Sequence, residues 1–340
     1  MMTTKEDMEI LYQSDLWKEI QSSIYQKSTT EIELFWKSYF CIIKEKKIWP
    51  FLLKWYQIMG VILPDDEKYV KKELERIKKL LQKKRGVICL QLWLMNEITR
   101  FKNGKKLSEV FKEQVKNQRL ILEKKIVETY GLKVAFRENM PVSNIIYDIQ
   151  KTDEVLLEEM HDSCRTKVKK AMKKNILFKT LETEQEQESF YHDWKEISGK
   201  KHFGIIPEDQ FIKLVTYLKK EHKGTVFVTE LDGDIVGGSI VLFRGNTMTY
   251  LYGFGNRKYQ NIGGHHFLKF KLFEYAREHW LKYVDAMGGA PTGFPEHHLK
   301  GVSDFKESLG WEKIEYYGNF DLVCNGFLYQ VFKWYKKFQH

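Results

Sequence analysis

Four cysteines occur in 340 residues, and no two of them form a C-x-x-C or any regular spacing. Cys41, Cys89, Cys164 and Cys324 therefore read as reduced thiols in or near a core, which points to a cytosolic protein rather than a disulfide scaffold. The longest apolar run, 48–63, is broken by Pro50, Lys54 and Gln57 and is too short to span a bilayer. The opening MMTTKEDMEILYQ carries acids and no apolar core of a secretion signal, so a cytoplasmic location is expected. Catalytic patterns are missing too. There is no G-x-S-x-G and no cysteine set beside a histidine by motif, which argues against a covalent acyl-enzyme. His265-His266 and His297-His298 are adjacent pairs without an H-x-x-x-H and matching carboxylate, so no metal is expected.

What is present describes a folded, basic chain. A hydrophobic content of 43% with many aromatics fits a soluble globular protein, and the length fits two domains. A net charge of +10 asks for an anionic partner: nucleic acid, a phosphorylated substrate or an acidic membrane face.

Read in order, residues 1–47 have helical, amphipathic spacing and 49–64 read as strands and turns. Residues 65–84 form a strong helix, with an acidic start, a basic end and Gly86 as its stop. A buried strand over 87–94, a polar loop over 96–107 and a helix over 107–130 follow. One or two strands lie in 132–149, and a domain boundary is placed at 150. Within RTKVKKAMKK, Arg165, Lys169 and Lys173 recur every four residues as one positive ridge, leaving Val168, Ala171 and Met172 to pack. Two helices (182–199 and 207–222) lead into TVFVTEL, IVGGSIVLF and TMTYLYGF, which are hairpin strands. In the last of these, Tyr250 and Tyr252 alternate and are expected on one side. A helix over 264–280 ends the run. Helix-helix-meander-helix-strand is the order of an N-acyltransferase (GNAT) fold, a mixed α+β class.

The stretch from 282 to 320 organises the rest. Asp285 ends a short strand before the pair Gly288-Gly289. Asp304 with Glu307 then reads as the cap of a short helix stopped by Gly310, which places Lys306 in its first turn beside Phe305. VDAMGG, GVSDFKESLGW and EYYGNFDLVCN resemble the C-terminal signature of the Fem-type aminoacyltransferases, and the likeness extends in order along most of the chain. QSDLW (13–17) is similar to the family's Gln-x-x-x-Trp opening.

The resemblance implies two tandem GNAT-like domains, 1–150 and 151–322, with a C-terminal helix (about 323–340) packing back on the first. It implies transfer of an amino acid from aminoacyl-tRNA to an amine on the stem peptide of a UDP- or lipid-linked peptidoglycan precursor. No cofactor is implied, and contact with the inner membrane face is peripheral. Phe305 and Lys306 match the Phe-Lys pair of the active site, with Asp285 beside them. Tyr252, Tyr250, Gly288 and Gly289 are substrate-contact candidates, and Lys18 stands in for a family lysine. Arg165, Lys169 and Lys173 are candidates for tRNA phosphates.

The chain departs from the pattern at three places. Ile206 and Gln210 stand where an Arg and a Tyr hold the sugar-phosphate end of the precursor, and Trp93 replaces a first-domain acid. A non-cell-wall peptide acceptor thus stays open. So does an acyl-CoA donor, because Gln260-Asn261-Ile262-Gly263-Gly264 is close to the loop that cradles CoA pyrophosphate ahead of a helix. An RNA-binding protein without catalysis is a third reading.

Overall fold

A computed structural model of the protein describes residues 11–102, 107–201 and 204–337. In chain order the elements begin with α1 (Asp15–Glu19), β1 (Thr29–Leu34), β2 (Lys37–Ile48), β3 (Phe51–Val61) and α2 (Glu67–Gln82). Next come β4 (Val87–Lys102), α3 (Glu109–Tyr130), β5 (Lys133–Val134), β6 (Ser143–Asp148), α4 (Asp153–Glu159) and α5 (Asp162–Met172). They continue with β7 (Leu177–Thr180), α6 (Glu184–Lys201), α7 (Glu208–Lys220), β8 (Gly224–Leu231), β9 (Asp234–Arg244) and β10 (Thr247–Gly255). The last are α8 (Gly264–Glu278), β11 (Tyr283–Gly289), α9 (Lys300–Glu307), β12 (Glu312–Val323) and α10 (Gly326–Lys337).

The strands form one mixed sheet in the order β1-β2-β3-β4-β12-β6-β11-β10-β9-β8-β7, with β5 pairing on β12. The same pattern occurs twice. β1-β2-β3 is an antiparallel meander, and α2 carries the chain to β4, parallel to β3. β8-β9-β10 repeats the meander, and α8 carries it to β11, parallel to β10. β12 lies between β4 and β6, antiparallel to both, and stitches the copies together. The line at 150 falls in the turn between β6 and α4, although β12, from the far end of the chain, pairs with β4 of the first copy.

Local chemistry accounts for the expected helices. The Asp66 carboxylate accepts the Tyr69 N–H, capping α2, whose Val70, Leu74, Ile77 and Leu81 are buried. Gly86 then takes φ +79°, a left-handed turn that suits glycine. α3 is capped by Ser108 and stopped by left-handed Gly131. α10 returns to the first copy, packing Tyr329 and Phe332 against Leu53, Trp55, Ile88 and Cys89.

Three expectations are corrected. Residues 29–48 are the β1–β2 hairpin, not helix: Phe35 and Trp36 take positive φ in the turn, and a β-branched and aromatic run favours pairing. The part of that reading before Leu11 lies outside the described residues. The polar stretch after Asn96 is strand through Lys102. Arg100 there binds Glu97 of its own strand at 2.5 Å and, across the sheet, Glu312 of β12 at 3.1 Å. Finally, α9 begins at Lys300, four residues early, so Asp304 is no cap but the ion-pair partner of Lys300, and Lys306 sits in the last turn.

Candidate active site

Parallel strands β10 and β11 pair at only three positions, Thr247–Tyr283, Met248–Val284 and Thr249–Asp285, and then part. Both depart from regular register at that point: β10 bulges between Tyr250 and Tyr252, and β11 between Asp285 and Gly288. Bulges bend and twist a strand, which drives the two edges apart into a wedge. The equivalent pair in the first copy stays joined from Lys54–Val87 to Val61–Leu94. The helix starts differ as well. α2 opens on Asp65, Asp66 and Glu67, whereas α8 opens on Gly263 (φ +79°) with no acid in its first turn. The second copy alone combines an open wedge with a helix start that tolerates an anion.

Lys306 reaches into this wedge. Its Nζ donates to the Gly288 carbonyl at 2.6 Å, and its own carbonyl accepts the Tyr147 hydroxyl at 2.8 Å. Burial lowers its ammonium to about 8, against the pull of the Asp285 carboxylate. Asp285 is itself buried, and burial raises its carboxyl. The Met287 N–H (2.7 Å) and Asn144 amide (3.0 Å) on its Oδ1 oppose that shift. Phe305 lies against the rings of His265 and His266, with centroids 4.5 and 5.0 Å away, at the start of α8. Burial, with Lys167 nearby, pushes His266 down to about 4, so it is neutral at physiological pH. The glycine pair is needed for close approach: a Cβ on Gly288 falls 2.0 Å from Pro141, and one on Gly289 2.6 Å from the Ser303 hydroxyl. Lys306, Phe305, Asp285, Gly288 and Gly289 thus converge.

The two tyrosines separate. The β10 bulge turns Tyr252 to the opposite face from Tyr250, so the expectation of a shared side is overturned. Tyr252 joins the Tyr25 hydroxyl at 3.0 Å and packs on Trp194, facing the first copy. Tyr250 is buried beneath Lys269, whose Nζ is 3.7 Å from its ring centre. Lys269 escaped the sequence reading. It is fully inside the fold and donates to the Ser239 hydroxyl at 2.9 Å, and burial with the neighbouring Lys306 charge lowers it to about 7. The available signal was a lysine inside the apolar run Phe267-Leu268-Lys269-Phe270.

Other candidates are dispersed. Lys18 is half-buried and ion-paired with Asp15 and Glu31, each at 3.6 Å. Trp93 stacks edge-on with Tyr12 and Tyr316 in the core near Asp285. Of the basic ridge, Lys169 and Lys173 are exposed, whereas Arg165 is paired with Asp162. Met172, expected to pack, is exposed. A cleft of about 1030 Å³ runs between α3, the α4–α5 turn and α9, with Arg165, Lys112, Lys116 and Lys300 among its walls. Under it Arg119 and Glu315 form a buried ion pair at 2.6 Å, and Glu315 also accepts the Thr292 N–H and hydroxyl. Among the described residues, two groups of side chains bring metal-ligand atoms within 4.8 Å of one another: Glu138 with His297 and His298, and His192 with Asp193 and Glu196. In the first, the His297–Glu138 contact (2.7 Å) ties the segment before α9 to the loop before β6.

Sheet, crossover helix and wedge are those of a GNAT fold, and residues 160–306 match the acetyltransferase (GNAT) domain family. The lipid II:glycine glycyltransferase of Staphylococcus saprophyticus is 34% identical over 110 residues, 32% of this chain and 26% of that protein. The enzyme of the same name from Staphylococcus haemolyticus is 28% identical over 156 residues, 45% of this chain and 36% of that protein. The matched segments thus span about a quarter to a third of those relatives. The crystal structure of FemX superposes with a TM-score of 0.69 at 16% identity, covering 95% of this chain and 94% of that one. The chain thus shares the fold of FemX, and a third to just under half of it is similar in sequence to lipid II:glycine glycyltransferases.

Proposed function

We propose that the protein transfers an amino acid from aminoacyl-tRNA to an amine on the stem peptide of a peptidoglycan precursor. The observation that carries this reading is the wedge in the second copy, with Asp285 buried and Lys306 half-buried at its apex and Phe305 beside it. An aminoacyl ester is already activated, so the enzyme supplies chiefly proximity and charge. The acceptor amine attacks the ester carbonyl, the C–O bond to the terminal ribose breaks, and the amine proton passes to the departing ribose oxygen, giving an amide and a free ribose hydroxyl. Lys306, as ammonium, stabilises the negative charge that develops on the carbonyl oxygen or the departing ribose oxygen. Asp285 holds that ammonium charged against the cost of burial. Phe305 offers a face for the terminal adenine, and Tyr252 faces the acceptor. Lys169 and Lys173 bind tRNA phosphates, with Arg165 at the rim of the cleft. The lipid II named in the relatives makes a lipid-linked precursor the lead acceptor.

A second reading, an acyl-CoA donor, is favoured by left-handed Gly263 at the start of α8, with Lys170 on the Asn261 carbonyl at 3.1 Å. One experiment separates them. Purified protein is offered a charged-tRNA pool or acetyl-CoA, with a lipid-linked precursor as acceptor. Retention of a charged tRNA that weakens steeply with salt, and transfer of its amino acid, is the expected result. Saturable acetyl-CoA binding without tRNA retention overturns it.

A further inference from the structure

On the first copy, far from the wedge, apolar side chains stand in solvent inside a basic surround. The β2–β3 hairpin ends in Trp49, 85% exposed, followed by Leu52 at 45%. Phe51, in the same turn, meets Phe327 of α10 edge-on at 5.9 Å, and Phe327 is 67% exposed. Along α10, Phe327, Val331 and Trp334 recur at i, i+4 and i+7, and Trp334 is 62% exposed. That is a second apolar stripe, set away from Tyr329 and Phe332, which bury the inner face. The surround is cationic: Lys46 and Lys47 flank the hairpin tip, and α10 carries Lys333, Lys336 and Lys337 and no acid. The turn holding Lys83, Lys84 and Arg85 lies alongside, since Gly86 abuts the Leu52 backbone so closely that a Cβ there falls 2.3 Å from its carbonyl oxygen. Glu45 is the acid of the hairpin tip, and it is paired with Lys54 at 3.5 Å.

Aromatic tips that enter the headgroup region, ringed by lysines that face phosphates, suit an anionic bilayer surface. No helix among the described residues is long and apolar enough to cross a membrane. We infer that the β2–β3 tip and the outer face of α10 dock this protein on an anionic lipid surface. The inference rests on the proposed lipid-linked acceptor for its purpose, but not for its evidence.

Flotation with phosphatidylcholine vesicles, with and without phosphatidylglycerol, tests it. The full chain is expected to bind only the anionic vesicles and to release with salt. Trp49→Ser combined with Phe327→Ser is expected to weaken binding about tenfold or more, and Lys46→Gln with Lys47→Gln to weaken it severalfold. All of these positions are exposed or at a turn, so unchanged melting curves certify the fold. Transfer to a soluble UDP-linked precursor is expected to persist in both variants, while transfer to a vesicle-borne precursor falls. Wild-type protein that ignores anionic vesicles overturns the inference even if it transfers to detergent-dispersed precursor. So does a self-association that the Phe327 variant dissolves in place of vesicle binding. Vesicle binding without transfer to any acceptor sinks the proposed reaction and leaves the docking surface standing.

Discussion

Lys306, half-buried, and Lys269, buried, are two amines whose fates differ. Lys306 is needed as an ammonium, so its contribution to transfer is expected to fade as pH rises through about 8. Lys306→Ala is expected to lower kcat about a hundredfold or more while leaving tRNA affinity within a few-fold, as single-turnover rates and filter binding report. Full activity in that variant removes Lys306 from the mechanism. Lys269 carries a stability signature. Its value of about 7 lies below the 10.5 of a free amine, so between those values the unfolded chain binds more protons and stability climbs with pH. Lys269→Met lacks this climb. The advantage of the variant in urea unfolding is expected to be largest near pH 7 and to shrink toward pH 10, by an amount on the order of 4 kcal/mol. Equal differences at both ends overturn the buried-amine description. Phe305, Lys306, Asp285 and the glycine pair were legible in the sequence because they share one strand-turn-helix segment with a family signature. Lys269 was passed over, because the apolar run around it is a weak signal beside a lysine's usual preference for solvent. The opposed tyrosines were not legible either, since a one-residue bulge leaves no mark in an alternating strand.

At the scale of elements, the segment that holds the glycine pair is fixed from below. Glu315 of β12 receives Arg119 from α3 and Thr292 from the loop beyond β11, and Lys313 beside it binds Glu307 of α9 at 2.7 Å. Glu315→Ala leaves Arg119 buried without its carboxylate and is expected to cost about 3–5 kcal/mol in chemical denaturation. A loss under 1 kcal/mol contradicts that reading. Gly288→Ala pushes a methyl into Pro141 and is expected to cost about 1–3 kcal/mol, while shifting the carbonyl that Lys306 grips. Helices were the most legible elements, because α2 and α3 have caps and glycine stops in plain view. The β1–β2 hairpin and the outer half of β4 were missed. Both are set by strand pairing, β1 on β2 and outer β4 on β12, and pairing across strands is invisible to local periodicity.

For the molecule as a whole, the positive charge is useful only where it is free to meet phosphate. Lys169 and Lys173 are exposed, whereas Arg165 is engaged by Asp162. Replacing both lysines by Gln is expected to reduce the salt slope of tRNA binding by about 2, and Arg165→Gln by less. Equal slopes for all variants exclude the ridge from the contact. We propose two folding units meeting near residue 150. The repeat was legible only through the family resemblance, since 29–48 read as helix hid the first meander, and the strand that crosses between its copies was not legible at all. β12 carries a consequence for biogenesis. On the ribosome β4 (Val87–Lys102) emerges long before β12 (Glu312–Val323), the strand that covers one of its edges. Until then that edge is open to any other strand, so a chain released before Glu312 is a template for aggregation. Premature termination ahead of β12 therefore costs more than the residues it removes: it leaves a nascent product for chaperones and proteases to clear.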